Sequence, residues 1–325
     1  MLYTPAMQTA LIILIVIAAV ILVGFIFPLI FCYLVACRVY QVTLVRTDKD
    51  KWGRHCSEES NPEQLAMWNA GLSWQEGVKD HSREVRIEND GFKLYGEYYD
   101  FGSNKAVIII PGRTESLMYS YYFASPYERA GFNVLVIDIR SHGNSDGKYD
   151  YLGIGEDMDI IRWSQLLHEQ FGNESVILHG ICMGANTAIH ALTHRDCPSY
   201  ISGFVSEGCY ISFYECYKRH MEVDKHPTFP VLPMVMHLIK VHTGTDVNKT
   251  RPIDFISRVT VPTLFLCGKK DVYSLPEKSQ LLFDKLGSSE KELVWFEEGS
   301  HSHLRIAGEE LYDNAIISFM NKHFR

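Results

Sequence analysis

A doubly wound α/β fold with a mostly parallel sheet, preceded by one long N-terminal apolar helix, is the architecture this 325-residue sequence predicts. Two observations lead to it. Short runs of Val, Ile and Leu recur with helix-length segments between them, as expected of strands buried on both faces of a parallel sheet. The first 37 residues carry no charge, and most are large and apolar.

From Met1 to Cys37 no charged side chain occurs, and Ala10 to Ala36 is almost wholly Ile, Leu, Val, Ala and Phe. About 20 helical residues cross a hydrocarbon core of about 30 Å, so this stretch is long enough to span a bilayer. A cleaved signal would begin with a basic region and a shorter apolar run. Residues 1–37 are therefore read as a single-pass anchor whose apolar stretch, 10–36, meets lipid, with Pro28 a candidate kink. No Lys or Arg precedes the span, whereas Arg38, Arg46, Lys49, Lys51 and Arg54 follow it, so the positive-inside rule puts the remainder on the cytoplasmic side of a cell membrane. Eight cysteines without paired spacing agree with a reducing compartment.

Hydrophobic residues make up 46% and charged residues 22%, enough apolar side chain for one large core and unlike a disordered chain. The formal charge is −8, from 39 acidic and 31 basic residues, and no long Lys/Arg run could neutralise a phosphate backbone. Nucleic acid is excluded as a partner on that ground.

Residues 38–79 are expected to be a polar connector (38–59) followed by a short helix. Ser60, Pro62 and Glu63 supply a capping-box start, and the helix runs through Leu65 and Trp68 to about Trp74. The domain proper is placed at 80–325. It opens with VRI and FKLYGEYY on either side of Asn89, Asp90 and Gly91, a turn signal between alternating runs that predicts an antiparallel hairpin. Strands are then expected at 106–110, 133–138, 175–179, 203–206, 262–267 and 292–296. Residues 207–250 interrupt the alternation.

The segment LHGICMGANTA, residues 178–188, sets Gly180, Cys182 and Gly184 between an expected strand and an expected helix. A side chain on such a turn is held in a strained backbone conformation, and the flanking glycines let neighbouring chain approach. A helix N-terminus or a nearby imidazolium lowers a thiol pKa from its usual value of about 8.5, which favours the reactive thiolate.

With PGRTES at 111–116 and DIRSHGNSDG at 138–147, this region resembles the α/β-hydrolase superfamily, in particular its serine-aminopeptidase-like, Bem46-like bacterial branch, over about residues 83–322. Cysteine stands here where that family has serine. The resemblance implies an α/β-hydrolase fold with a small lid at 207–250, and a nucleophile, acid and histidine in that chain order. Asp271 follows strand PTLFLC and His301 follows strand ELVWF, at the strand ends where α/β sheets place ligands. The implied triad is Cys182, Asp271 and His301, with the backbone N–H groups of Met183 and Arg113 forming the oxyanion hole. Pro111 departs from the histidine usual there.

Other readings stand beside these. Cys182 is either a nucleophile or a small buried apolar side chain. Asp271 is either the triad acid or a helix cap. His303 is a second candidate for the imidazole. His142, Ser145 and His179 are read as structural supports. Cys209, Cys216, His220 and His226 lack the paired spacing of a zinc site, so no metal or other cofactor is expected.

The function expected is hydrolysis of an ester or thioester of a small acyl substrate, lipid-like ones included, through an acyl-enzyme intermediate. Peptidase activity is less favoured. Two alternatives remain open. Cysteine in a GxCxG elbow also resembles polyhydroxyalkanoate synthases, which transfer acyl groups, and a serine-to-cysteine change would also suit an inactive binding protein on the same fold.

Overall fold

The computed structural model describes residues 4–56 and 58–324. Met1–Tyr3 of the expected anchor, Ser57 of the connector and Arg325 of the domain lie outside the described residues. The anchor region forms one helix, α1, over Pro5–Leu44, 40 residues with a mean hydropathy of 3.4 in its most apolar window. At 1.5 Å per residue it is about 60 Å long, roughly twice a hydrocarbon core. By length and composition it is a candidate membrane span. Leu22–Ile26 is a π-helical turn in which the Phe27 N–H reaches back to the Leu22 carbonyl. Pro28 lies just beyond it. Proline lacks an N–H and crowds the carbonyl four residues earlier, and a π turn at that point relieves both effects.

The connector expected from residue 38 begins later than its charges suggest, because α1 continues to Leu44. Ala36, Tyr40 and Leu44, four residues apart, form a buried stripe on the domain, while Arg38 and Gln41 face solvent. The last turn is also held at its carbonyls, which have no partners within the helix. Lys51 Nζ donates to Val42 O at 2.6 Å and Val45 O at 2.5 Å. The cation meets the negative end of the helix dipole. Backbone bonds from Asp150 N–H to Leu44 O (3.0 Å) and from Arg46 N–H to Lys148 O (2.7 Å) complete the attachment.

Helix α2 spans Pro62–Val78 and is capped by Asn61, whose Oδ1 accepts from the Glu63 and Gln64 N–H groups at 3.1 and 3.3 Å. The expected Ser60 cap is one residue early and the expected end at Trp74 one turn short. The hairpin follows as read: β1 (Ser82–Asn89) and β2 (Phe92–Tyr99) pair antiparallel around Asp90 and Gly91, both at positive φ. A two-residue turn of that conformation matches the twist of the strands it joins.

The remaining strands are β3 (Lys105–Ile110), β4 (Asn133–Ile137), β5 (Ser175–Ile181), β6 (Ile201–Glu207), β7 (Thr263–Gly268) and β8 (Lys291–Phe296). With β1 and β2 they form an eight-stranded sheet in the order β1-β2-β4-β3-β5-β6-β7-β8, parallel from β4 onward. Successive side chains feed opposite faces. Ala106, Ile108 and Ile110 join one core with Leu135 and Leu178, whereas Val107 and Ile109 join the other with Val134 and Ile177. The first core lies under α3 (Asp157–Phe171) and α4 (Met183–Thr193), the second under α2 and the C-terminal helix. Between β6 and β7, the segment read as a lid holds α5 (Phe213–Val223) and α6 (Val231–Thr243). Tyr217, Leu232 and Ile239 share the first core with Tyr40 and Leu44, and α1 packs along α6. Helices α7 (Pro276–Lys285) and α8 (Glu309–His323) follow β7 and β8.

Candidate active site

Cys182 sits between β5 and α4 with φ 51° and ψ −108°, outside the regions open to ordinary L-residues. Its N–H donates to Glu207 O at 2.8 Å, which ties the turn to the neighbouring strand. A Cβ on Gly180 would lie 2.4 Å from the backbone of Ala185, and one on Gly184 would lie 2.1 Å from Ile110 O. Both glycines are therefore dictated by closeness of backbone to backbone.

His301 Nδ1 lies 2.8 Å from Asp271 Oδ2. The other Asp271 oxygen accepts from the Tyr273 and Ser274 N–H groups, each at 2.8 Å, so the carboxylate is fixed through both oxygens. The His301 ring packs on Gly208, where a Cβ would stand 3.0 Å from Cε1, and edge-on to Tyr273. Its Nε2 is buried, on the side of the ring away from Asp271. Burial alone would lower the His301 pKa, but the charges of Cys182 and Asp271 outweigh it, and the imidazole is held well above its usual value. His303 is placed differently. Its Nε2 meets Gln64 Oε1 at 2.6 Å and its Nδ1 meets Ser300 Oγ at 2.8 Å, so it joins α2 to the rim.

The loop after β3 runs past Cys182, with an ideal Gly112 Cβ 3.9 Å from the Cys182 Cβ. Neither the Arg113 N–H nor the Met183 N–H donates a hydrogen bond among the described residues. Met183 opens α4, where the first amides have no helical acceptor. Three contacts set the loop. Glu115 Oε2 accepts from Gly112 N–H at 3.1 Å, His142 Nε2 meets Arg113 O at 2.5 Å, and Arg113 Nη1 donates to Thr43 O at 3.1 Å. Burial lowers the His142 pKa to about 4, leaving a neutral ring stacked on Trp52. Burial pushes the Glu115 carboxyl above its usual range.

Cys182, His301, Met183 and Arg113 all line one cavity of about 280 Å³, with Glu115, Gln64, Phe213 and His220 among its other walls. Asp271 lies behind His301. His142 supports the Arg113 loop, Ser145 bridges Asp138 O (2.7 Å) and Tyr95 N–H (2.9 Å), and buried His179 lies 3.3 Å from the Tyr312 hydroxyl. Cys216 and His220 pack together on α5, where His220 Nδ1 meets Cys216 O at 2.9 Å. Among the described residues no three His, Cys, Asp or Glu side chains converge as a metal site. Sequence reading missed Glu115 and the Arg113–Thr43 contact. Only the position of Glu115, inside the PGRTES loop, gave any signal for the first.

The strand order, the strained turn after β5 and the loops after β7 and β8 define an α/β-hydrolase fold, and the family model described as the alpha/beta hydrolase fold matches residues 105–224. More particularly, the chain is similar to the uncharacterized protein YqkD of Bacillus subtilis, with 27% identity over 66% of this chain and 70% of that protein. It is also similar to the uncharacterized membrane protein YNL320W of Saccharomyces cerevisiae, with 24% identity over 71% of this chain and 80% of that one. An esterase of Pyrococcus furiosus superposes with a TM-score of 0.66 at 21% identity, over 77% of this chain and 94% of the esterase.

Proposed function

We propose that this chain is a membrane-anchored acyl hydrolase that cleaves an ester or thioester through Cys182, His301 and Asp271. One observation carries the reading: Cys182 stands on a positive-φ turn at the start of α4, in the same cavity as a histidine whose far nitrogen is held by a buried carboxylate. In this reading residues 1–37 supply the anchor and 80–325 the catalytic domain with 207–250 over the site, and the Lys/Arg residues after the span support a cytoplasmic domain. Esterase activity is what the P. furiosus structure is named for, and membrane residence is what the yeast relative is named for.

In the first half-reaction the Cys182 sulfur, its proton held on His301 Nε2, attacks the substrate carbonyl, forming a C–S bond. Asp271 holds the imidazole tautomer and stabilises its charged form. The oxyanion lies against the Arg113 and Met183 N–H groups, which have no acceptor among the described residues. Collapse expels the alkoxide or thiolate, which takes the proton from His301. In the second half, water gives a proton to His301 Nε2 as its oxygen attacks the thioacyl carbon. The C–S bond breaks, the acid leaves and Cys182 recovers its proton.

The test is turnover of short p-nitrophenyl esters by the full chain in detergent, natural protein against Cys182→Ala, with intact mass recorded after quenching. Turnover and an acyl mass increment that both vanish in the variant support the reading. Equal rates in the two proteins would reject Cys182 as the nucleophile.

A further inference from the structure

A second cavity, of about 460 Å³, lies between the end of α1 and the two helices over the site. That volume is within the roughly 300–1,000 Å³ of small-molecule sites. Val35, Val39 and Val42 of α1, with Arg38, form one wall, and Met221, Pro227 and Val231 line the groove beside Asp224 and His226. Thr43 and Tyr217 close one side through a 2.7 Å hydroxyl contact. Arg113 and His220 line this groove and the Cys182 cavity alike, so the two spaces meet at those side chains. His220 is not a charged barrier there: burial pushes its pKa down to about 4, and its ring stacks on Tyr273.

Two further observations say what the groove takes. The apolar run of α1 ends at Cys37, so Val35–Thr43 straddle the level at which the helix leaves a bilayer. Phe229, between Pro227 and Val231 in the chain, is 81% exposed, and Val42 and Val241 are at least half exposed. Solvated aromatic and aliphatic side chains beside such a helix end match a surface set against the membrane interface.

Resting on the hydrolase reading, we propose that the groove between α1 and α5–α6 is the binding site for the acyl chain of a membrane-borne ester or thioester. The chain enters from the bilayer beside Val35 and Val39 and passes Arg113 and His220 to bring its carbonyl to Cys182. The substrate class is thus long-chain acyl lipids, delivered sideways from the leaflet.

The experiment uses the full chain in phospholipid nanodiscs, with two readouts. First, irradiation with palmitate carrying a terminal diazirine, followed by peptide mapping, is expected to label residues 35–43 and 221–231, with oleate competing. Absence of label there, or label that oleate does not displace, overturns the site. Second, kcat/KM for p-nitrophenyl acetate and palmitate is compared between the natural protein and Val39→Trp or Met221→Trp. Palmitate turnover is expected to fall tenfold or more while acetate changes less than twofold. Equal loss with both esters, or retained palmitate turnover in variants that no longer take label, overturns the substrate role. If neither ester is turned over by the natural protein, the hydrolase reading fails and the labelling alone decides the site.

Discussion

The Arg113 guanidinium donates to the Thr43 carbonyl at 3.1 Å, so the loop that passes Cys182 is bonded to the last turn of the apolar helix. A hydrogen bond to a charged group contributes about 1.5–3 kcal/mol. Arg113→Ala is expected to cut kcat/KM for a short ester by about tenfold or more, since each 1.36 kcal/mol is a factor of ten. Steady-state kinetics beside a melting curve checks this, and an unchanged kcat/KM in a folded variant removes the coupling.

His301 gives a second expectation. Cys182 and Asp271 keep its imidazole protonated well above the usual value, so a positive charge should stay beside the Cys182 sulfur as pH falls. A thiol with an ordinary pKa of about 8.5 is only about 1% ionised at pH 6.5. Alkylation of Cys182 by iodoacetamide at pH 6.5 should therefore slow in His301→Ala, by up to about a hundredfold. Equal rates would mean that the histidine does not hold the thiolate.

Glycine at positions 180 and 184 is set by contacts of 2.4 and 2.1 Å that any Cβ would make with backbone. Overpacking against side chains costs typically 1–3 kcal/mol, and backbone yields less readily. Gly184→Ala is expected to unfold or melt far below the natural protein, whereas Gly102→Ala, at a turn with open space around it, should lose much less. Thermal melts decide the comparison.

Buried Glu207 makes stability depend on pH. Burial pushes its carboxyl up to about 7 from the usual 4.5, against the opposing hydrogen bond from Tyr312 at 2.6 Å. The folded chain thus holds a proton that the unfolded chain releases between those values. The stabilisation is complete below pH 4.5 and is lost as pH rises through 7, by up to about 3 kcal/mol at 1.36 kcal/mol per unit. Glu207→Gln keeps an acceptor for Tyr312 and should flatten the fall in melting temperature between pH 5 and pH 8. A fall as steep as that of the natural protein would assign the dependence elsewhere.

Removing residues 1–45 takes away Tyr40 and Leu44, both buried on the domain, whereas removing 1–31 leaves them. Each is worth about 1.5–3 kcal/mol when fully buried. The longer deletion should melt several degrees lower and aggregate, and equal melts for the two would show that the stripe adds little.

Most of the architecture was legible because it is local. The strand runs, the Asp90–Gly91 turn and the Gly-Cys-Gly elbow each declare themselves within a few residues. The end of α1 was misjudged because Arg38 reads as the start of a polar connector, while the stripe of Ala36, Tyr40 and Leu44 has meaning only against α6. Asn61 and Ser60 are both good caps by composition, and only the chain direction entering α2 separates them. Glu115 on Gly112, His142 on Arg113 and Arg113 on Thr43 join segments 3, 29 and 70 residues apart, and the two longer pairings have no local signature.

The Lys51 clamp on the carbonyls of Val42 and Val45 changes what the anchor does. A free 22-residue connector would let the domain wander over about 25 Å, on the scale of 5–6 Å times the square root of its length. A helix fastened at its last turn acts as a post. On the function proposed above, Cys182 would then stay at one height and in one orientation above the leaflet, and its substrates would arrive by diffusing in the plane of the membrane.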